Sequence, residues 1–201
     1  MKKIGVIINP IAGLGGRVGL KGSDGEDIVE RALALGGKPE SSIRAEYALE
    51  QLRDVSGEVL FLSYAGDMGE NQLRKLGYAV DVLGQQADPQ RSRAGDTIAA
   101  AKKMLESNAE LIIFAGGDGT ARNICEAVGT SIPVIGIPAG VKIHSAVYAI
   151  NPRNAGMIAR DYAASRISKL NEAGVMDIDE DLFRQGRVVA KLYGYMMVPD
   201  G

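Results

Sequence analysis

The chain has one cysteine, one histidine and no tryptophan among its 201 residues. A single cysteine, Cys125, excludes an intrachain disulfide and a zinc site of the CxxC type. Aromatic residues make up only 5% of the chain, which argues against the stacking platforms that bind single-stranded nucleic acid. The net charge is −2, so we expect no nucleic-acid partner and no general attraction to an acidic membrane surface.

Long hydrophobic runs are also lacking. The first apolar run, Ile4 to Ile8, stops at Asn9-Pro10 and is too short for the core of a signal peptide. No apolar stretch reaches the 18 residues that suggest a membrane span. We therefore expect a cytoplasmic protein with no membrane partner. Hydrophobic residues at 46% and charged residues at 24% are typical of a globular protein with a packed core.

Strand and helix patterns alternate over residues 1–168, which predicts one α/β domain with an open, mostly parallel sheet and helices on both faces. The predicted strands are 3–8, 58–64, 78–83, 110–115 and 133–137. The predicted helices are 27–35, 45–53, 69–76, 92–107, 121–128, 143–149 and 152–165.

Residues 169–201 follow a different pattern. The stretch from Asn171 to Phe183 is acidic and predicts a solvated linker, and residues 187–198 predict one long strand. A lone strand cannot bury its faces. It could join the sheet edge, pair with another chain or begin a β-rich domain, and we favour the incomplete β-rich domain. We also expect a homo-oligomer.

The most informative motif is Gly116-Gly117-Asp118-Gly119-Thr120, between a predicted buried strand and a predicted helix. Glycines let backbone amides approach a charged ligand closely, and Thr120 could cap a helix whose amino end favours phosphate. A loop built only to bind phosphate would not need a central aspartate, so Asp118 suggests a catalytic base or a metal contact. Gly-Gly-Asp-Gly is also a common hairpin turn, but a hairpin needs a second strand after it.

Four loops of this kind follow predicted strands, and in chain order they are residues 9–17, 65–69, 116–120 and 138–142. Parallel sheets bind ligands at the carboxyl ends of their strands. Asp67 could contact a ligand or magnesium, or cap a helix, and Lys142 could meet phosphate or lie on the surface. The single histidine, His144, is predicted to pack at a helix start near this edge. The candidate nucleotide- or phosphate-binding residues are Asn9, Gly13, Gly15, Gly16, Gly66, Asp67, Gly116, Gly117, Gly119, Thr120, Asn123, Pro138, Gly140 and Lys142.

Residues 116–120, which follow a predicted strand, together with residues 133–140 resemble the NAD kinase and diacylglycerol kinase superfamily. Residues 9–22, 66–69 and 140–147 resemble one branch of it, the ATP-NAD kinase-like group that includes acetoin-catabolism X proteins. The resemblance implies a phosphofructokinase-like α/β domain followed by an all-β domain. We expect these 201 residues to include only the start of that second domain.

The resemblance also implies an activity, the ATP-dependent phosphorylation of the 2′-hydroxyl of the adenosine ribose in NAD. Asp118 would then be the base, the motif glycines and Thr120 would position phosphates, and ATP and Mg²⁺ would be the cofactors. Leu170-Asn171-Glu172 is a weak match to an Asn-acid pair of NAD kinases. The chain has no GxxxxGK[ST] motif and is therefore not a P-loop kinase.

Two other functions fit the same residues. A kinase on this scaffold could phosphorylate a different small-molecule hydroxyl, because the glycine loop does not specify the acceptor. A regulatory module could bind nucleotide without turnover.

Overall fold

The computed structural model describes residues 1–14, 39–88, 92–139, 143–178 and 189–201. Its main element is a five-stranded parallel sheet with the strand order β3-β2-β1-β4-β5. The α/β class predicted from the sequence is therefore confirmed. The five strands are β1 (Lys2–Ile8), β2 (Val59–Tyr64), β3 (Val80–Gly84), β4 (Leu111–Gly116) and β5 (Val134–Pro138).

Helices connect these strands in the described parts of the chain. Most fall where helical spacing predicts them, although the first begins earlier than expected and continues as a 3₁₀ helix over Glu50–Glu58. The predicted helix at 27–35 lies outside the described residues. The α-helices are α1 (Ser41–Leu49), α2 (Glu70–Lys75), α3 (Ala94–Glu106), α4 (Asp118–Val128) and α5 (Pro152–Ala163).

Both faces of the sheet are covered, as an all-parallel sheet requires. Successive strand residues point to opposite faces. Ile4, Val6 and Ile8 of β1 therefore join a buried cluster with α1 and α5. Ile7 joins a second buried cluster on the other face, with α3 and α4. In each cluster the strand side chains pack against the apolar sides of the helices, so the sheet lies between two packed layers of helices.

Helix α5 approaches α1 closely at one glycine. A Cβ atom on Gly156 would collide with the backbone carbonyl oxygen of Ala48. A backbone atom inside a helix cannot move aside as a flexible side chain can, so the distance between the two helices depends on Gly156.

Two further strands form an antiparallel hairpin in which β6 (Leu170–Ile178) pairs with β7 (Ala190–Pro199). The prediction of a linker from Asn171 onward is therefore wrong for the residues of β6. Ala173, Val175 and Met196 are buried against the α3–α4 side of the sheet, which stabilises the strand despite its acidic neighbours. The hairpin occupies the position where the start of a β-rich domain was predicted, and the domain boundary at residue 168 stays a prediction.

Residues 143–149, predicted as a helix, are not helical: they contain a turn at 146–147 and one isolated parallel bridge between Tyr148 and Gly136. Gly136 in β5 donates its N–H to Val147 O at 2.9 Å and accepts from Ala149 N at 3.0 Å. On the other side, Ala146 N donates to Gly174 O in β6 at 2.8 Å. The segment therefore joins the parallel sheet to the hairpin. In the described ranges, no helix combines the length and apolar character needed to cross a bilayer.

Candidate active site

The site lies where the strand order reverses. β1 leads through its helices to β2 on one side, whereas β4 leads to β5 on the other. In open α/β sheets the ligand crevice lies at such a reversal, which here is between the ends of β1 and β4. Asn9 follows β1, and its backbone N–H donates to Ala115 O at 3.0 Å. The Asn9 side-chain Nδ2 donates to Thr120 Oγ1 at 3.0 Å. The first and third glycine loops are thus joined directly.

Helix α4 begins at Asp118, with Gly117 in extended geometry at the N-cap position. Thr120 is the third helical residue and does not cap the helix, contrary to the prediction. Its side chain fills the space beside Gly116, where a Cβ atom would collide with it. The N–H groups of Thr120 and Ala121 both donate to Gly117 O, at 2.9 and 3.1 Å. The N–H groups of Asp118 and Gly119 have no acceptor within the helix, and such groups can bind an anion.

The Asp118 carboxylate is fixed by three hydrogen bonds. His144 donates its backbone N–H to Oδ2 at 2.8 Å, and its Nδ1 lies 3.0 Å from the same oxygen. Ser145 donates its backbone N–H to Oδ1 at 3.0 Å. The Asp118 side chain is only 8% exposed, whereas the imidazole is 40% exposed. His144 therefore contacts the central carboxylate, a role that the predicted packing position did not include.

The segment that holds Asp118 is itself held by β6. Ser145 Oγ donates to Met176 O at 2.8 Å and accepts from Met176 N at 3.0 Å. Ser145 and Val147 are buried and alternate with exposed or partly exposed neighbours. The sequence does not show this pattern, because a polar residue, Ser145, is buried and an apolar one, Ala146, is exposed.

Tyr148 stabilises the Gly116–Thr120 loop through a hydrogen bond and a ring contact. Its hydroxyl donates to Gly117 O at 2.5 Å, and its ring packs edge-on against Phe114 with 5.3 Å between centroids. Burial, with a smaller contribution from the negative charges of Asp118 and Asp177, raises the pKa of the Tyr148 phenol well above its ordinary value. The phenol is thus held in the protonated form that donates to Gly117.

The first glycine loop packs against the fourth. Gly13 adopts φ +85°, and a Cβ atom there would collide with Ala139 O. Arg44 was not among the predicted site residues. It donates from Nη1 to Pro138 O at 3.2 Å. Its Nη2 pairs with Glu40 at 2.7 Å. It is the fourth residue of α1, and sequence offers no signal that places it at the end of β5.

The second loop stands apart from Asp118. Asp67 lies in a 3₁₀ turn over Gly66–Met68, is exposed, and accepts from Asn71 Nδ2 at 2.8 Å. Gly69 occupies the N-cap position of α2, so Asp67 does not cap that helix. β2 and β4 are separated by β1, which puts this loop about 10 Å from the Asp118 loop at the usual spacing of adjacent strands.

Helix α4 also contacts the hairpin, which the sequence did not predict. Arg122 Nη1 lies 3.0 Å from Asp177 Oδ2, and the guanidinium carbon lies 5.3 Å from the centre of the Tyr193 ring. Cys125 Sγ donates to Tyr195 O at 3.8 Å, and burial raises the pKa of the Cys125 thiol. The cysteine therefore has a packing role, as its position in a helix predicts.

The structure brings several of the predicted residues together. The loops around Asn9, Gly13, Asp118 and Pro138 are in contact, while Gly66 and Asp67 lie on the same sheet edge but farther away. Asn123 lies one turn beyond Thr120 in α4 and is half-buried, as is Gly119. Gly15, Gly16, Gly140 and Lys142 lie outside the described residues.

Solved structures with a similar arrangement have low sequence identity. Two structures of a protein described as a candidate diacylglycerol kinase from Bacillus anthracis str. Sterne have TM-scores of 0.44 and 0.43, each with 14% identity over 89% of this chain. They are covered over 46% and 44% of their own lengths. A UDP-GlcNAc 2-epimerase from Neisseria meningitidis has a TM-score of 0.38 and 13% identity, over 81% of this chain and 39% of that one.

The chain thus spans less than half the length of these solved structures. No curated protein matches the sequence. A family model described as the ATP-NAD kinase N-terminal domain matches residues 4–167. That match includes all five parallel strands and Asp118, and by it the chain belongs to the ATP-NAD kinase family.

Proposed function

We propose that this chain is the nucleotide-binding part of a kinase that transfers the γ-phosphoryl group of ATP to the 2′-hydroxyl of the adenosine ribose of NAD. The observation that carries the proposal is the placement of Asp118. A buried, hydrogen-bonded carboxylate at the amino end of a helix, in the crevice between β1 and β4, suits a hydroxyl that must become a nucleophile.

The phosphates would bind around this carboxylate. Phosphoryl transfer depends mainly on positioning and on stabilising negative charge, which backbone N–H groups at a helix start can supply. The Gly116–Thr120 loop and the loops at Asn9 and Gly13 surround the crevice. Gly15, Gly16, Gly140 and Lys142 are proposed as further phosphate contacts, and Asn123 and Pro138 as contacts to the rest of a nucleotide.

Magnesium fits this site as an ion bound to ATP. Among the described residues no group of three His, Cys, Asp or Glu side chains could hold a metal ion. Mg²⁺ in kinases usually keeps several waters and binds one or two carboxylates together with the substrate phosphates. Asp67 is the proposed carboxylate, because it is exposed at the binding edge. When bound, Mg²⁺ would neutralise charge on the phosphate oxygens.

Asp118 would draw the proton from the hydroxyl. In the simplest form of the proposal it accepts that proton itself. Its Oδ1 receives one hydrogen bond, from Ser145 N, and a carboxylate oxygen can accept a second. The acceptor hydroxyl would occupy that second position.

The test is an acceptor panel with the full-length protein, Mg²⁺ and ATP. ADP release would be followed with NAD, NADH, nucleosides, free sugars and diacylglycerol vesicles, and products would be identified by mass spectrometry. We expect NADP from NAD. Turnover with another acceptor would support a kinase activity but would assign it a different substrate. Calorimetric binding of ATP without any turnover would contradict the proposal and favour a regulatory module.

A further inference from the structure

His144 and Asp118 form a pair in which one side chain is buried and the other is not. The carboxylate is 8% exposed and the imidazole 40% exposed, at a distance of 3.0 Å between Nδ1 and Oδ2. His144 is the only histidine of the chain.

The hydrogen bond fixes the form of the neutral ring. An ionised carboxylate can only accept hydrogen bonds, so Nδ1 must carry the hydrogen that points at Oδ2. In a neutral imidazole the other nitrogen then has the free lone pair. Nε2 lies on the opposite side of the ring from Nδ1 and so points away from Asp118.

The carboxylate is less well suited to take a proton than this nitrogen. Oδ2 receives two hydrogen bonds, from His144 N and Nδ1, and Oδ1 receives one from Ser145 N. Three acceptor positions of the carboxylate are therefore already occupied by nitrogen donors. Imidazole is the side chain that proteins most often use to move protons near neutral pH.

We propose that Nε2 of His144 accepts the proton of the acceptor hydroxyl, and that Asp118 acts by holding Nδ1–H and stabilising the imidazolium that forms. The hydroxyl O–H bond breaks as its oxygen bonds to the γ-phosphorus, and the bond from that phosphorus to ADP breaks. The proton later leaves Nε2 for solvent. This is the division of work in Asp–His pairs that activate hydroxyl nucleophiles. The inference rests on the proposed function and names the group that takes the proton.

The first test does not need activity. In the ¹⁵N-labelled full-length protein a single histidine gives one pair of ring nitrogen signals, whose shifts report which nitrogen carries hydrogen. We expect protonated Nδ1 and unprotonated Nε2 in the neutral ring. In Asp118→Asn, where an amide replaces the carboxylate, this preference should weaken. A neutral ring protonated at Nε2 in the wild-type protein would overturn the inference.

The second test separates the two candidate bases by their side chains. Asn at position 144 keeps a donor near the Nδ1 position but has no equivalent of Nε2. We expect both H144N and H144A to lower kcat by about a hundredfold or more, the usual effect of losing a general base. Added imidazole should restore at least tenfold of the H144A loss.

A folded H144N protein within a few-fold of wild-type kcat would show that Asp118 takes the proton directly. The absence of phosphoryl transfer by the wild-type protein to any acceptor would instead contradict the proposed function. In that case the nitrogen signals still decide whether the ring is held as inferred.

Discussion

Ser145 and Met176 exchange hydrogen bonds in both directions, with Ser145 Oγ donating to Met176 O at 2.8 Å and accepting from Met176 N at 3.0 Å. The backbone N–H of Ser145 also binds Asp118. The central carboxylate of the parallel sheet is therefore positioned by a residue that the hairpin holds. An intact hairpin is part of the active site even though none of its side chains is proposed to touch the substrate.

Asp118→Asn tests the carboxylate. The amide has nearly the same shape but cannot accept all three hydrogen bonds with a negative charge, so we expect kcat to fall about a hundredfold or more. The melting temperature should change little by comparison. Asp81→Asn, the same change at an exposed position in β3, is the control and should leave both quantities unchanged. Full activity of the Asp118 variant in the acceptor assay would remove this residue from the chemistry.

Tyr148→Phe removes the bond to Gly117 O but keeps the ring against Phe114. We expect a loss of about 1 kcal/mol in the free energy of unfolding, the usual net value of one hydrogen bond. Because the folded-state pKa of Tyr148 is raised, the folded protein keeps this proton after the unfolded chain begins to lose it, and stability falls as pH rises above about 10. The Tyr148→Phe variant has no phenol at this position and therefore lacks this pH-dependent contribution to stability.

The difference in the free energy of unfolding between wild type and Tyr148→Phe should therefore become smaller above about pH 10. Urea unfolding at a series of pH values measures it. A gap that widens with rising pH would contradict the assigned burial of the phenol.

Gly13→Ala tests the contact between the first and fourth loops. The new methyl group would meet Ala139 O, and alanine disfavours a positive φ, so we expect a stability loss of about 1 kcal/mol or more. Calorimetry should also show weaker ATP binding, since the loop must move. Gly57→Ala has open space around it and no positive φ. Wild-type ATP affinity in the Gly13 variant, alongside an unchanged control, would separate this loop from the nucleotide.

Gly156→Ala tests the packing of α5 on α1. Alanine is the better helix former, so the sign of the effect shows which term is larger. Collision with Ala48 O should cost about 1–3 kcal/mol, more than the gain of up to about 1 kcal/mol in helix propensity. Gly95→Ala in α3 meets no neighbouring atom and should be neutral or stabilising. Denaturant unfolding of both variants gives the comparison, and equal shifts would rule out the close contact.

Sequence was sufficient for the parallel sheet because most of its strands are nearly continuous apolar runs, as in Leu111–Gly116, although β3 contains the exposed Asp81. It was also sufficient for the loops, because Asn9, Asp118 and Pro138 each follow such a run. It was not sufficient for β6, whose stability comes from Ala173 and Val175 packing on a surface that lies elsewhere in the sequence. Local composition there is acidic, and only the alternation of these two residues indicates a strand.

The role of His144 could not be predicted for a related reason. A helix at 143–149 would have turned every third or fourth residue toward Asp118. The non-helical segment instead presents two successive backbone N–H groups and one ring nitrogen to the same carboxylate. Its backbone is held by hydrogen bonds to Gly136 in β5 and Gly174 in β6, and the β6 partner is distant in sequence.

The register of the hairpin shifts at one point, since Val175 pairs with Gly194 whereas Met176 pairs with Leu192. Tyr193 is thus an extra residue in β7, and its ring lies beneath Arg122. Deleting Tyr193 would leave the pairs on either side unchanged and give a regular ladder without the local bend and extra twist of a bulge. The deletion would also remove the ring that contacts Arg122, so we expect it to weaken the contact between β7 and helix α4 more than Tyr193→Phe, which keeps an aromatic ring.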